Sequence, residues 1–329
     1  MLDELQTHAR RSLLLTVLAS VAACTDDAND GFLGRSDANA GWNQPVDVRA
    51  KDPFPRTFTN LKGEHYEIPA PPQRIVSSTL FTDVVLSAIC PKDRIAALHE
   101  VSTKPMFSPI AAESSRFPRH VSPDPETVRT FRPDLVFLAS FSDKRSESLV
   151  TEKGCVVIRL HQLSSIAGVQ QSIRNVGYVA GLDVAAEELV VSMQARLDAV
   201  ACGKVRRAKW RLLSFDSGFV AGKDTIFDDV LGYVGAANLA AVSGIKGTTR
   251  VDQEQLLTMW PDAVVIGVLP GREKEAKDRL LQLSGMRNLD AIKNDRIIYV
   301  SNPLMMSASH HVAGLAESIA ATLDRWEKP

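Results

Sequence analysis

The chain lacks any excess of charge of one sign. Its 38 Lys and Arg face 39 Asp and Glu, for a formal net charge of −1, so the basic surplus by which nucleic-acid binders engage phosphate is missing. Trp and Tyr are scarce, at four each in 329 residues, a thin supply of these large stacking groups for a flat ring such as a corrin. No apolar run reaches about 18 residues, the length a membrane-spanning helix needs. Nor is there a G-x-S-x-G elbow, an H-E-x-x-H helix or a G-x-x-x-x-G-K-[ST] loop. The stretch 218–224 comes nearest to the last, but it is one residue short between its glycines and has Asp224 where a hydroxyl belongs. No enzyme is expected, and no cofactor or protein-held metal is implied.

What is present points outward from the cytoplasm. Arg10 and Arg11 precede an apolar run over 13–23, too short to span a bilayer but of signal-peptide length. The run ends in Val21-Ala22-Ala23-Cys24, which resembles the lipobox of bacterial lipoproteins, although Asp3 and Glu4 depart from its usual basic start. Residues 1–23 are thus expected to be a signal peptide, Cys24 the lipidated first residue of the mature chain, and 24–56 a polar tether rich in Asp, Asn, Ser and Gly. Such a protein would be held by its lipid at a periplasmic or other extracytoplasmic membrane surface. Cys90, Cys155 and Cys202 remain, an odd number that permits at most one internal disulfide. Cys90 with Cys155 is one conceivable pair, and buried thiols are the other reading.

The body of the chain repeats itself. Glu126-Thr127-Val128-Arg129-Thr130-Phe131-Arg132-Pro133-Asp134-Leu135-Val136 finds an echo in Glu254-Gln255-Leu256-Leu257-Thr258-Met259-Trp260-Pro261-Asp262-Ala263-Val264, with the same spacing between the two glutamates as between the two Pro-Asp pairs. Each copy predicts a short helix, a break at proline and an apolar strand. Uninterrupted apolar runs suit parallel strands covered by helices on both faces. Two α/β lobes follow, each with a mainly parallel sheet flanked by helices. Between them, Leu189, Met193, Leu197 and Val200 recur at helical spacing, so one long backbone helix is expected to join the lobes.

In this order and spacing the segments resemble the solute-binding proteins of importers for ferric siderophores, haem and cobalamin. Thr57–Pro69 resembles the leading hairpin of that family and Pro71–Ser78 its first strand. The resemblance implies a signal peptide (1–23), a tether (24–56), an N-terminal lobe (57–180), a connecting helix (181–204) and a C-terminal lobe (205–329). It also implies that Glu126 and Glu254 dock on arginines of an ABC transporter permease dimer. A carboxylate in the first turn of a helix is equally favoured by the helix dipole.

Ligands of open parallel sheets meet the loops at the carboxyl ends of strands. Those loops supply Thr79, His99, Phe141, Lys144, Arg145, Phe219, Met305, His310 and His311 as candidate ligand contacts, a mixture of apolar, basic and imidazole groups suited to a bulky chelate with anionic oxygens. Lys144 and Arg145 read most simply as a solvated loop. A ferric siderophore needs no metal ligand from the protein, whereas His99, His310 or His311 could reach a haem iron or cobalt. Two other readings stand beside this one: a receptor for a free transition-metal ion held by His99, Glu100, His310 and His311, and a non-transport lipoprotein with a degenerate cleft.

Overall fold

The computed structural model describes residues 53–60, 62–117, 119–122, 124–139, 154–160, 163–283 and 285–328. The expected signal peptide, Cys24 and most of the tether lie outside the described residues. By its contacts the chain divides into two compact units: Val46–Val190 with Ser301–His311, and Val191–Val300 with Val312–Pro329.

The first unit opens with an antiparallel hairpin, β1 (Arg56–Thr59) on β2 (His65–Ile68). Its turn is closed by Asn60, whose side-chain oxygen accepts the amides of Lys62 and Glu64 at 3.0 Å each, the local bonding that favours asparagine in turns. There follow β3 (Ile75–Ser77), β4 (Ile95–His99), β5 (His120–Val121), β6 (Leu135–Ala139) and β7 (Val156–Leu160). They form one parallel sheet in the order β5-β4-β3-β6-β7. Ile75, Val76, Leu135, Val136 and Phe137 are fully buried, as strands sandwiched between helices require. The helix Leu80–Ile89 follows β3, and the helix Ile166–Ala180 is capped by Ser165 at one end and by Gly181 in the left-handed conformation at the other.

In the second unit, β8 (Arg211–Ser214), β10 (Ala237–Asn238), β12 (Ala263–Val268) and β13 (Ile297–Ser301) make a sheet ordered β10-β8-β12-β13, with β8 parallel to both of its neighbours. Beside it, β9 (Phe219–Ala221) pairs antiparallel with β11 (Thr248–Arg250). The helix Ile226–Val234 ends at Gly235, where φ is 88° and an added Cβ would sit 2.4 Å from the Lys204 carbonyl oxygen; only glycine meets both demands. Arg207, 3% exposed, closes the base of this unit. Its guanidinium donates to the carbonyls of Val200 and Val234, both at helix ends, and to Asp324 Oδ1 at 2.9 Å. The α/β architecture expected from the sequence, with mainly parallel sheets flanked by helices, is what the chain adopts.

The repeated Pro-Asp pair has one mechanical job in both units. Asp134 accepts the backbone amides of Gln73 and Arg74 at 2.6 and 2.9 Å, so the residue that opens β6 pins the start of β3. Asp262 does the same for β8: it accepts the Arg211 amide at 2.8 Å and grips the Arg211 guanidinium through both oxygens at 3.0 Å. A backbone amide at the open end of a parallel strand has no ladder partner, and the carboxylate supplies one.

The helix Asp183–Ala201 has the length that the sequence pattern asks for, but the contact boundary falls inside it, after Val190. The sequence reading also assigns everything beyond residue 204 to the second lobe. By contacts, Ser301–His311 returns to the first unit, where Asn302 Nδ2 donates to the Met106 carbonyl at 2.7 Å.

Candidate functional site

The carboxyl ends of β3 and β4 carry the densest group of candidate residues. After β3 the chain turns at Ser78 into Thr79, the N-cap of the helix Leu80–Ile89, whose hydroxyl accepts the Thr82 amide at 3.1 Å. One turn further on lies Asp83, fully buried beside Thr82 among the apolar residues of the helix. Both its carboxylate oxygens accept the backbone amide of His99 at 3.1 Å. Asp83 therefore staples the end of β4 to the helix that follows β3. Burial pushes its pKa well above the ordinary carboxylate range, against the opposing pull of the Ser77 hydroxyl and the His99 amide.

That elevation sets a sign. A carboxyl whose folded pKa is raised contributes nothing below its unfolded pKa and weakens the fold progressively as pH climbs through the raised value. Asp83→Asn keeps an acceptor for His99 without the charge. In urea unfolding the variant is expected to gain on the parent as pH climbs from the ordinary carboxylate range toward the raised value. A parent-to-variant difference that stays flat over that range rejects burial of a charge as the cause.

His99 is half-buried at the end of β4. Its Nδ1 accepts the Val101 amide at 3.0 Å, which caps the short turn Glu100–Thr103. Burial lowers its pKa, and the charge of Glu100 opposes the shift. Beyond this turn stand two side chains that the sequence reading passed over, Met106 and Phe107, 47% and 38% exposed. The Asn302 amide that holds the Met106 carbonyl also contacts Met306 Sδ at 3.4 Å, and Met306 is 56% exposed. Met305 beside it is half-buried. His310 and His311 stack on each other with ring centroids 4.3 Å apart. His99, Met106, Phe107, Met305, Met306 and both of these histidines thus belong to one unit, although the sequence reading divides them between two lobes. Phe141, Lys144 and Arg145 lie outside the described residues.

The second unit offers less. Phe219, 44% exposed, opens β9 and pairs with Arg250, while Phe215, just past the end of β8, is core. A cavity of about 570 Å³ lies at the opposite, amino ends of β8, β12 and β13, among Lys209, Trp210, Asp262, Arg296, Trp326 and Glu327. Its aromatic surface is already engaged: Trp210 packs on Trp326 at 5.5 Å and under Arg296 at 5.4 Å, and its indole N–H reaches Glu327 at 2.8 Å. These contacts fasten the C-terminal helix Val312–Trp326 to the start of β8.

Glu126 and Glu254 occupy matching positions. Each stands in the first turn of a six-residue helix, Pro125–Thr130 and Gln253–Thr258, behind an aspartate N-cap, Asp124 and Asp252. Both glutamates are exposed. Glu126 pairs with Arg129 of its own helix at 3.3 Å, an exposed contact of little energetic weight.

Among the described residues no three His, Cys, Asp or Glu gather to hold a metal ion, and no helix is long and apolar enough to cross a membrane. Cys90, Cys155 and Cys202 are all free thiols, so the conceivable Cys90–Cys155 bridge is not formed. Burial raises the Cys90 thiol to about 11 and the Cys155 thiol to about 12, which leaves both unreactive.

Comparison with known proteins fits this arrangement. An uncharacterized ABC transporter substrate-binding lipoprotein, YvrC of Bacillus subtilis, is 22% identical over 306 residues, spanning 86% of this chain and 92% of that protein. A cobalamin-binding protein of Halobacterium salinarum is 22% identical over 264 residues, 78% of this chain and 71% of its own length. The solved structure of an ABC-type Fe3+-hydroxamate transport system from Saccharomonospora viridis superposes with a TM-score of 0.65 at 20% identity, covering 82% of this chain and 99% of that one; at such identity the likeness speaks for the fold. The sequence pattern of a family of binding proteins, not of enzymes, matches residues 75–304, from the first strand of the parallel sheet in one unit to the segment that follows the last strand of the other. By that match the chain belongs to the periplasmic binding protein family.

Proposed function

We propose that the protein is an extracytoplasmic lipoprotein, anchored through Cys24, that captures a metal chelate and delivers it to an ABC-type permease. The observation that carries the reading is the family match over residues 75–304. It is supported by relatives described as a substrate-binding lipoprotein and a cobalamin-binding protein. The cargo class is a ferric siderophore, or cobalamin or haem, in which the chelator itself fills most or all of the metal's coordination sphere. The protein then has only to recognise the chelator's rim. The apolar and imidazole groups after β4 and β13 suit such recognition, with Met106, Phe107, Met305 and Met306 as apolar surface and His99, His310 and His311 as polar contacts. Phe141, Lys144 and Arg145 would add apolar surface and positive charge, and Phe219 of the second unit is proposed as a ligand contact in its own right. Glu126 and Glu254 serve as the permease contacts.

Receptors for a free metal ion depend on several donors converging on one point, and His99, Glu100, His310 and His311 make no such group among the described residues. The chelate reading is therefore preferred. Native mass spectrometry of protein purified from its own cells, followed by calorimetric titration with ferrichrome, cyanocobalamin and haemin, tests it. A co-purifying chelate, or micromolar or tighter affinity for one of the three, is expected. Protein that carries nothing and binds none of them refutes the cargo class.

A further inference from the structure

We infer that His99 meets the ligand as a neutral hydrogen-bond donor through Nε2–H and does not coordinate its metal, an inference that rests on the proposed binding role of the turn after β4. Metal-bound histidines use one ring nitrogen for the metal and donate the other N–H to a carbonyl or carboxylate. In His99 the second nitrogen has the opposite polarity. Nδ1 receives the Val101 amide at 3.0 Å, and a backbone N–H can be received only by a lone pair, so the proton of the neutral ring sits on Nε2. Moving it to Nδ1 would set two N–H groups against each other and break the cap of the turn Glu100–Thr103.

The backbone that carries the ring is held separately. Its own amide is clamped by both oxygens of fully buried Asp83 at 3.1 Å, which ties the end of β4 to the helix Leu80–Ile89. Burial also disfavours the charged ring, with Glu100 opposing, so the donor form persists near neutral pH. Nε2 has no protein hydrogen-bond partner among the described residues. The group that faces it must be an acceptor: a carboxylate, hydroxamate or carboxamide oxygen on the rim of the chelate.

Two measurements on the full chain test this. Long-range 15N–1H spectra at pH 7, with the His99 ring assigned by its loss in His99→Gln, are expected to show a proton on Nε2; a proton on Nδ1 overturns the inference. Ferrichrome, cyanocobalamin and haemin are then titrated into the parent, His99→Gln and His99→Leu. Glutamine offers an amide N–H near the position of Nε2–H, and leucine offers none. For whichever probe binds, His99→Gln should hold affinity within about twofold and His99→Leu should lose about 5- to 10-fold, the worth of one hydrogen bond, with the absorption bands of the bound metal the same in all three. Equal losses in both variants with altered metal bands would establish coordination and overturn the inference. Unchanged affinity in His99→Leu would remove His99 from the binding surface and leave the cargo assignment standing. If none of the probes binds the parent, the cargo assignment fails by itself, and the ring spectrum still decides where the proton resides.

Discussion

Reversing both carboxylates proposed to dock on the permease, Glu126→Lys together with Glu254→Lys, is expected to abolish uptake of the cargo while leaving its affinity for the isolated protein unchanged. Each glutamate is exposed at the first turn of a short helix whose amides are already capped, by Asp124 and by Asp252. Neither helix needs the glutamate to begin, and the partial positive charge of the helix start accounts for only a fraction of a kcal/mol at an exposed site. Close charge pairs across protein interfaces contribute about 1.5 kcal/mol or more each. Two reversals should therefore remove at least ~3 kcal/mol, on the order of 100-fold in productive docking, and like-charge contact with permease arginines would add to that. The single reversals should each fall between the parent and the double variant. Transport assays in cells, paired with titration of the purified variants, separate the two effects. Wild-type transport by the double variant would eliminate the docking role, and a loss of ligand affinity would reassign the glutamates to binding.

Arg207→Met should cost about 3–5 kcal/mol, the range found when one member of a buried polar constellation is removed. The guanidinium is the shared partner of the Val200 and Val234 carbonyls, at the ends of two helices, and of Asp324 in a third. Methionine fills most of the volume and satisfies none of these acceptors, each of which then bears its own desolvation cost. Arg207→Lys retains the charge but not the planar fork, so it should recover less than half of the loss. Scanning calorimetry of the three proteins checks the order. A methionine variant within 1 kcal/mol of the parent would mean that water replaces the guanidinium without penalty.

The parallel sheets were legible because their strands are buried on both faces, and burial of that kind leaves an unbroken apolar run such as Leu135–Leu138 in the sequence. The Pro-Asp repeat was legible as a pattern, but its purpose was not, because the amides that Asp134 holds belong to Gln73 and Arg74, far upstream in the chain. Arg207 illustrates the limit of reading charge locally: within Lys204-Val205-Arg206-Arg207 it looks like solvated surface, and only the convergence of three helix ends makes it core. The return of Ser301–His311 to the first unit includes the bond from Asn302 to the Met106 carbonyl, a pairing that no periodicity announces. At the site, His99 stood out as an imidazole at a strand end, but the position of its ring proton depends on the Val101 amide and therefore on backbone geometry. Asp83 did leave a signal, a lone acid in the apolar helix Leu80–Ile89, and it was missed because one polar residue on such a helix usually faces water.

The carboxylates of Asp134 and Asp262 separate two jobs within each sheet. Because they anchor β3 and β8 where these strands begin, the amino margin of each sheet has its own fastening, separate from the one Asp83 supplies at the carboxyl end of β4. A change in the turns beyond the carboxyl ends therefore leaves the starts of these strands held.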